Sequence, residues 1–161
     1  MAEGIGISAA TQDDRPWIRS LLESRWGEVE IVTRGNLHRA EDLPAFVARL
    51  DNKRVGLATY RIDEGDCEIV TLDSLRWGCG VGTALVEAVR QEARAEKCSR
   101  LWLITTNDNL ESLRFYQKRG FNLARLHPGA LAESRRIKPS IPTIGKHRIP
   151  MRDEIELEMS L

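Results

Sequence analysis

Arg76-Trp77-Gly78-Cys79-Gly80-Val81-Gly82-Thr83 joins a strand-like run to an amphipathic helix through three glycines at alternate positions, and this junction decides the reading of the fold. Upstream, Glu68-Ile69-Val70-Thr71-Leu72 has the β-branched, apolar composition of a buried strand. Downstream, Val81, Ala84, Leu85, Ala88 and Val89 recur at helical spacing, while Glu87, Arg90, Gln91 and Arg94 take the opposite face. Glycines at such a turn let the backbone approach a ligand closely. The free N–H donors of the helix's first turn add partial positive charge there. The stretch therefore reads as an anion-cradling turn for a phosphate. A Walker loop requires Lys and then Ser or Thr after its last glycine, but Gly82 is followed by Thr83-Ala84. A dinucleotide fingerprint requires a third small residue in a later register and an acidic residue roughly 20 positions on. Glycines at 78, 80 and 82 miss that register. A plain tight strand-to-helix turn stays open at this point.

A second segment narrows the choice. Leu101-Trp102-Leu103-Ile104-Thr105-Thr106 reads as another buried strand, and Asn109, Tyr116 and Gly120-Phe121 follow it along one helical stretch. Taken together, the two segments resemble the GNAT superfamily of acyl-CoA-dependent N-acetyltransferases. In that family the acyl-CoA loop reads Gln/Arg-x-x-Gly-x-Gly/Ala after a strand, and a later element reads Asn, a helix, Tyr, then Lys-x-Gly-Phe. Gly80 and Gly82 match the loop glycines, Asn109 the asparagine, Tyr116 the tyrosine and Gly120-Phe121 the closing pair, and the resemblance covers roughly residues 53 to 126. One position departs: the Gln/Arg place falls on Trp77, with Arg76 displaced by one. A side-chain contact to the pyrophosphate is lost there, and backbone donors carry most of the site.

The resemblance implies one GNAT-like α/β domain over residues 1–161, with a mixed, mostly antiparallel sheet, helices on both faces, and a splay at the central strand where acetyl-CoA lies as cosubstrate. It implies Tyr116 as general acid near the sulfur. It also implies a cofactor-binding set of Val70, Leu72, Trp77, Gly78, Cys79, Gly80, Val81, Gly82, Thr83 and Asn109. Asn109 and Tyr116 are seven residues apart, nearly two helical turns, so they share a face. Plainer roles are a helix N-cap for Asn109 and a core aromatic for Tyr116. Glu68 is the candidate general base, set against a solvated strand-end carboxylate, and Asp73 is a second candidate closer to the loop. Trp26 and Arg34 are the candidate acceptor-binding residues, with Arg135 and Arg136 as further cations for a carboxylate. His38, His127 and His147 carry no assigned role. The implied reaction is direct attack of a primary amine on the thioester. The competing reading is a non-catalytic acyl-CoA-binding or sensor module, favoured by Trp77 and opposed by Tyr116.

Composition agrees. A chain of 161 residues, 42% apolar and 30% charged, is the size of one globular domain. Lys plus Arg and Asp plus Glu both number 24, so no net field favours nucleic acid or a membrane surface. The start Met1-Ala2-Glu3-Gly4 lacks the blocks of a signal peptide and no apolar run approaches ~20 residues, which makes the cytoplasm the expected location. Cys67, Cys79 and Cys98 are odd in number and lack a Cys-x-x-Cys, so neither a disulfide framework nor a metal site is expected. The expected partners are acetyl-CoA and an amine acceptor, with a homodimer left open.

The pattern of elements is α/β. Strands are expected over Ile5–Ser8, Glu28–Thr33, Ala45–Leu50, Val55–Tyr60, Cys67–Leu72, residues 100–105, Phe121–Leu126 and residues 154–159, with helices over Asp13–Leu22, Gly80–Lys97 and residues 109–119. Arg34–Asp42 is expected to be irregular or weakly helical. Residues 127–150, holding four of the six prolines, are expected to form a long loop.

Overall fold

Turn chemistry sets the strand ends in the computed structural model, which describes residues 4–161. β1 (Ile5–Ala9) passes through a short 3-10 turn (Gln12–Asp14) into α1 (Arg15–Trp26). Pro16 lies in the first turn of α1, where its missing N–H is no loss. Gly27 closes that helix in the left-handed conformation, φ 82°. β2 (Glu30–Thr33) and β3 (Asn36–Arg39) pair antiparallel around Arg34-Gly35, at φ 49° and 75°. Two positive-φ residues form the hairpin turn whose twist matches that of its strands. The same device joins β4 (Ala45–Leu50) to β5 (Lys53–Asp63) at Asp51-Asn52, and β5 to β6 (Asp66–Ser74) at Glu64-Gly65. There follow α2 (Val81–Ala95), β7 (Arg100–Thr106), α3 (Leu110–Lys118), β8 (Asn122–His127), α4 (Ala130–Ile137) and β9 (Glu154–Ser160).

The seven-stranded sheet runs β1-β4-β5-β6-β7-β9-β8, and β2-β3 form a separate two-stranded sheet. Among the described residues only β6 and β7 run parallel, and their pairing covers Asp66–Ile69 against Arg100–Leu103. Beyond Ile69 the two strands part toward their C-terminal ends, which opens the sheet at its centre. At the same level β6 carries an extra residue: Tyr60 pairs with Ile69 and Thr59 with Thr71, leaving Val70 as a bulge. A bulge re-aims the side chains that follow it. Leu72 beyond the bulge consequently joins Cys67 and Ile69 in the core beneath α2, whereas Val70 joins the core beneath α1.

Those two cores place helices on both faces, so the single α/β domain with a mostly antiparallel, centrally splayed sheet is the fold the sequence predicts. Val81, Leu85, Val86 and Val89 of α2 pack with Ala58, Leu101, Leu103 and Leu157 on one face, together with Tyr116 and Phe121. Ile18, Leu21 and Leu22 of α1 pack with Val47, Leu57 and Val70 on the other. Gly56 sets the height of α2: a Cβ there would lie 2.5 Å from Val81 Cγ1 and 3.0 Å from Leu85 Cδ1. The bare backbone lets the first turn of α2 settle against the sheet beside the splay. Among the described residues no helix is long and apolar enough to cross a membrane.

Two expectations need correction. Arg34–Asp42 is not irregular: Asn36–Arg39 forms β3, followed by a 3-10 turn at Ala40–Asp42. Only His38 of those four strand residues is buried, so the hairpin turn imposes the strand without an alternating apolar pattern to announce it. Residues 127–150 are not all loop, because Ala130–Ile137 forms α4 after Gly129 at φ 71°. That helix buries only Leu131 and Ser134, too short an apolar stripe to stand out among prolines.

Candidate functional site

A cavity of about 560 Å³ lies where β6, the turn after it, the start of α2 and α3 converge. Leu72, Trp77, Gly78, Gly80, Val81, Gly82, Thr83, Asn109 and Tyr116 line it, as do the cationic residues Arg76, Arg114, Lys118, Arg119 and Lys146. Val70 and Cys79 point elsewhere. Val70 belongs to the α1 core, and Cys79 packs toward the α2 core with its thiol 3.5 Å from the Trp77 carbonyl. Gly78 and Gly80, at φ 71° and 80°, take backbone conformations that L side chains rarely adopt. Gly82 has ordinary helical geometry but no room, since a Cβ would sit 3.0 Å from Phe115 Cζ.

Arg119 ties the two walls together. Its Nε donates to Thr83 Oγ1 at 2.9 Å, one Nη donates to the Phe115 carbonyl at 2.8 Å, and its guanidinium lies 3.7 Å over the Phe115 ring. Asn109 caps α3, its side chain accepting from the Ser112 N–H at 3.3 Å. Beside it, buried Asp108 accepts from the Lys146 backbone N–H at 2.8 Å. Asn107 accepts from the N–H groups of Arg152 and Asp153 at 3.0 Å each. The segment after α4 is thus fastened over the start of α3, which brings Lys146 to the cavity. Trp77 is 91% exposed at the opposite rim.

Tyr116 is buried, edge-on to Phe115 and Phe121 with centroids 5.1 and 5.3 Å away. It is both a core aromatic and a cavity wall. Among the described residues its hydroxyl makes no hydrogen bond. Burial, reinforced by the charge of Asp73, holds its pKa well above the usual tyrosine range.

The other side of the splay is polar. Trp26 Nε1 donates to Asp73 Oδ2 at 3.0 Å. Burial raises the Asp73 pKa, with the Trp26 hydrogen bond and Arg25 opposing. Glu68 is 2% exposed. Its Oε2 accepts from Thr33 Oγ1 at 2.8 Å, and Thr33 Oγ1 lies 2.8 Å from His38 Nε2. Glu68 Oε1 is 3.7 Å from the Arg61 guanidinium and 4.0 Å from His38 Nε2. Burial pushes the Glu68 carboxyl up to about 7; Thr33 and Arg61 pull it down, while Glu154 and Glu156 push it further up. Burial and then Arg61 lower the His38 pKa, which favours the neutral imidazole. Arg34 is engaged with buried Glu154, through its backbone N–H at 3.3 Å and its guanidinium at 3.1 Å. Arg135 braces carbonyls of Pro142 and Met151, and Arg136 pairs with Glu133.

Sequence reasoning did not single out Thr33, Arg61, Glu154 or Arg119, and it assigned His38 nothing. Thr33, Glu154 and Arg119 act through partners 35, 120 and 36 residues away, while His38 and Arg61 meet Thr33 and Glu68 only once strands pair, and no local motif marks such pairings. Among the described residues no three His, Cys, Asp or Glu side chains gather as a metal site.

Against known proteins, the acetyltransferase (GNAT) family profile matches residues 11–121. The Bacillus subtilis uncharacterized protein YdhI is 42% identical over 139 residues, 86% of this chain and 87% of that protein. The uncharacterized protein YxbD of the same organism is 36% identical over 158 residues, 98% and 99% of the two chains. Among solved structures, an IAA acetyltransferase from Bacillus cereus superposes with a TM-score of 0.74 at 21% identity, covering 98% of this chain and 99% of that one. A GNAT family acetyltransferase from Elizabethkingia anophelis with acetyl-CoA bound gives a TM-score of 0.69 at 20% identity over 99% of both chains.

Proposed function

Because the chain belongs to the acetyltransferase (GNAT) family, whose members draw on acetyl-CoA, we propose that it transfers the acetyl group to a primary amine by direct attack on the thioester, with Glu68 as general base and Tyr116 as general acid. One observation carries this reading. β6 holds the buried Glu68 carboxylate at the last paired residues before the splay, and beyond its bulge its Leu72 borders the tyrosine-lined cavity.

The chemistry follows from those positions. The pyrophosphate lies on the backbone N–H groups around Gly80 and Gly82 at the start of α2, with the cationic rim formed by Arg76, Arg114 and Arg119. The pantetheine arm runs along β6 past Ile69, where no β7 partner takes up the backbone groups beside Val70 and Leu72. That path brings the thioester to the splay. The amine enters from the α1 side, past Trp26 and the β2-β3 hairpin. There Glu68, with a pKa near neutrality, takes a proton from the amine nitrogen. The collapsing intermediate expels the thiolate, which takes the Tyr116 hydroxyl proton. Asp73, also raised by burial, is the alternative proton acceptor.

An amine panel with acetyl-CoA, scored by release of free CoA thiol, tests the proposal. Turnover with at least one class of primary amine is expected. A raised melting temperature with acetyl-CoA but no thiol release from any amine would favour the binding module instead.

A further inference from the structure

The β2-β3 hairpin stands apart from the main sheet, yet it is held firmly. Ile31 is buried in the α1 core, the Arg34 turn is fastened to Glu154 of β9, and Lys138 Nζ donates to the Glu30 carbonyl at 2.8 Å. Its inner side delivers two buried polar side chains, Thr33 at 6% exposure and His38 at 9%, to a single carboxylate. A threonine hydroxyl has one hydrogen, and an ionised carboxylate only accepts. With Glu68 ionised, Thr33 therefore donates to Oε2, and its oxygen is left to accept from His38. That fixes the neutral imidazole with its hydrogen on Nε2. Oε1 is the oxygen that accepts no hydrogen bond among the described residues, so it is the one free to receive a proton.

We propose that Thr33 and His38 are positioning residues of the acetyl transfer: the hairpin feeds a two-step hydrogen-bond chain, His38 Nε2–H to Thr33 Oγ1–H to Glu68 Oε2, that holds the base ionised and leaves Oε1 for the amine. This rests on the assignment of Glu68 as base. It extends that assignment to an element whose sequence carries no motif. The groups facing Glu68 are Thr33 and His38 from the hairpin, Arg61 from β5, and Glu154 and Glu156 from β9. Two of these, Glu154 and Glu156, oppose ionisation, as burial does, and the hydrogen-bond chain works against them together with Arg61.

The test is the pH profile of kcat/KM for the best amine, with melting temperatures alongside. Thr33→Val keeps the shape and removes the donor, so the acidic limb moves up by about one pH unit while the rate above that limb stays within a few-fold of wild type. Thr33→Ser restores the limb. His38→Leu removes the outer donor and moves the limb in the same direction by less, which gives a second reading should Thr33→Val fold poorly. A limb that stays in place in folded Thr33→Val and His38→Leu, with the rate lowered equally at every pH or with only the melting temperature changed, overturns the inference. Glu68→Gln separates the two layers. If it abolishes the limb while the hairpin variants leave the limb alone, the hairpin's role is refuted and the base stands. If it keeps both rate and limb, the base assignment fails and the hairpin's role with it.

Discussion

Replacing Gly82 by glutamate should remove most of the stabilisation by acetyl-CoA while leaving the fold standing. Gly82 lies in the first turn of α2 with ordinary helical geometry, so a side chain removes the helix penalty of glycine, about 0.5–1 kcal/mol. An acidic residue at a helix N-terminus adds a few tenths more, roughly 0.3–1 kcal/mol. Against this, the new Cβ would sit 3.0 Å from Phe115 Cζ, and that ring must yield by a few tenths of an ångström beneath the Arg119 guanidinium. These terms nearly offset, and the apo melting temperature should change little. Ligand binding is another matter. Acetyl-CoA at 100 times its Kd stabilises wild type by about 2.7 kcal/mol, worth about 5–11 °C in a domain of this size. A carboxylate in the proposed phosphate cradle would repel the ligand and displace it from charge-assisted N–H contacts, each worth about 1.5–3 kcal/mol. The loss of two weakens binding by at least ~100-fold, and the shift at the same ligand concentration falls to about 1–2 °C. Thermal melts with and without acetyl-CoA, with Gly82→Ala alongside, measure this. A folded Gly82→Glu protein that keeps the full shift would place the cofactor away from the start of α2.

Tyr116→Phe should lower kcat by ~10² to 10⁴ with little change in KM for acetyl-CoA, the range for loss of a general acid. Because burial holds the Tyr116 hydroxyl above its usual range, the wild-type rate should show no falling limb near pH 10, and steady-state profiles would expose one. Alkylation should strike Cys79, the partly exposed thiol, before Cys67 and Cys98, whose buried thiols are pushed up in pKa, and saturating CoA should slow it by covering the loop; equal rates for all three would contradict the packing. Asp14 is fully buried beneath Arg49 and Arg54, each about a third exposed, so Asp14→Asn should remove about 2 kcal/mol at neutral pH by urea melts. Burial opposes its ionisation, but Thr11, Arg54 and Arg49 outweigh that and depress the folded pKa. The contribution is therefore present above the ordinary carboxylate range and lost as pH falls through the folded pKa, so wild type and variant should converge in strong acid.

Signals local in the chain were legible in the sequence. The glycine junction at 78–82, the apolar stripe of α2 and the alternation in β9 each announce their element, and together they carry the order of the sheet's centre. The cavity side of the splay follows from that, since Gly80, Gly82, Asn109 and Tyr116 sit on contiguous motifs that the fold brings around one cavity. Long-range pairing was not legible. Thr33 meets Glu68 across 35 residues and Arg34 meets Glu154 across 120. A hairpin of four-residue strands offers too few buried positions for periodicity to show. The bulge at Val70 escaped for a related reason: it depends on the register of β6 against β5, which is a property of the assembled sheet.

Direct transfer across the splay is the central claim, and its most immediate test is the stoichiometry of free thiol on mixing enzyme with acetyl-CoA, first without and then with the best amine, followed by mass measurement of the protein. Thiol should appear only when amine is present, one for each acetylated amine, with the protein mass unchanged. One equivalent of thiol released without amine, together with an acetylated protein, would contradict it.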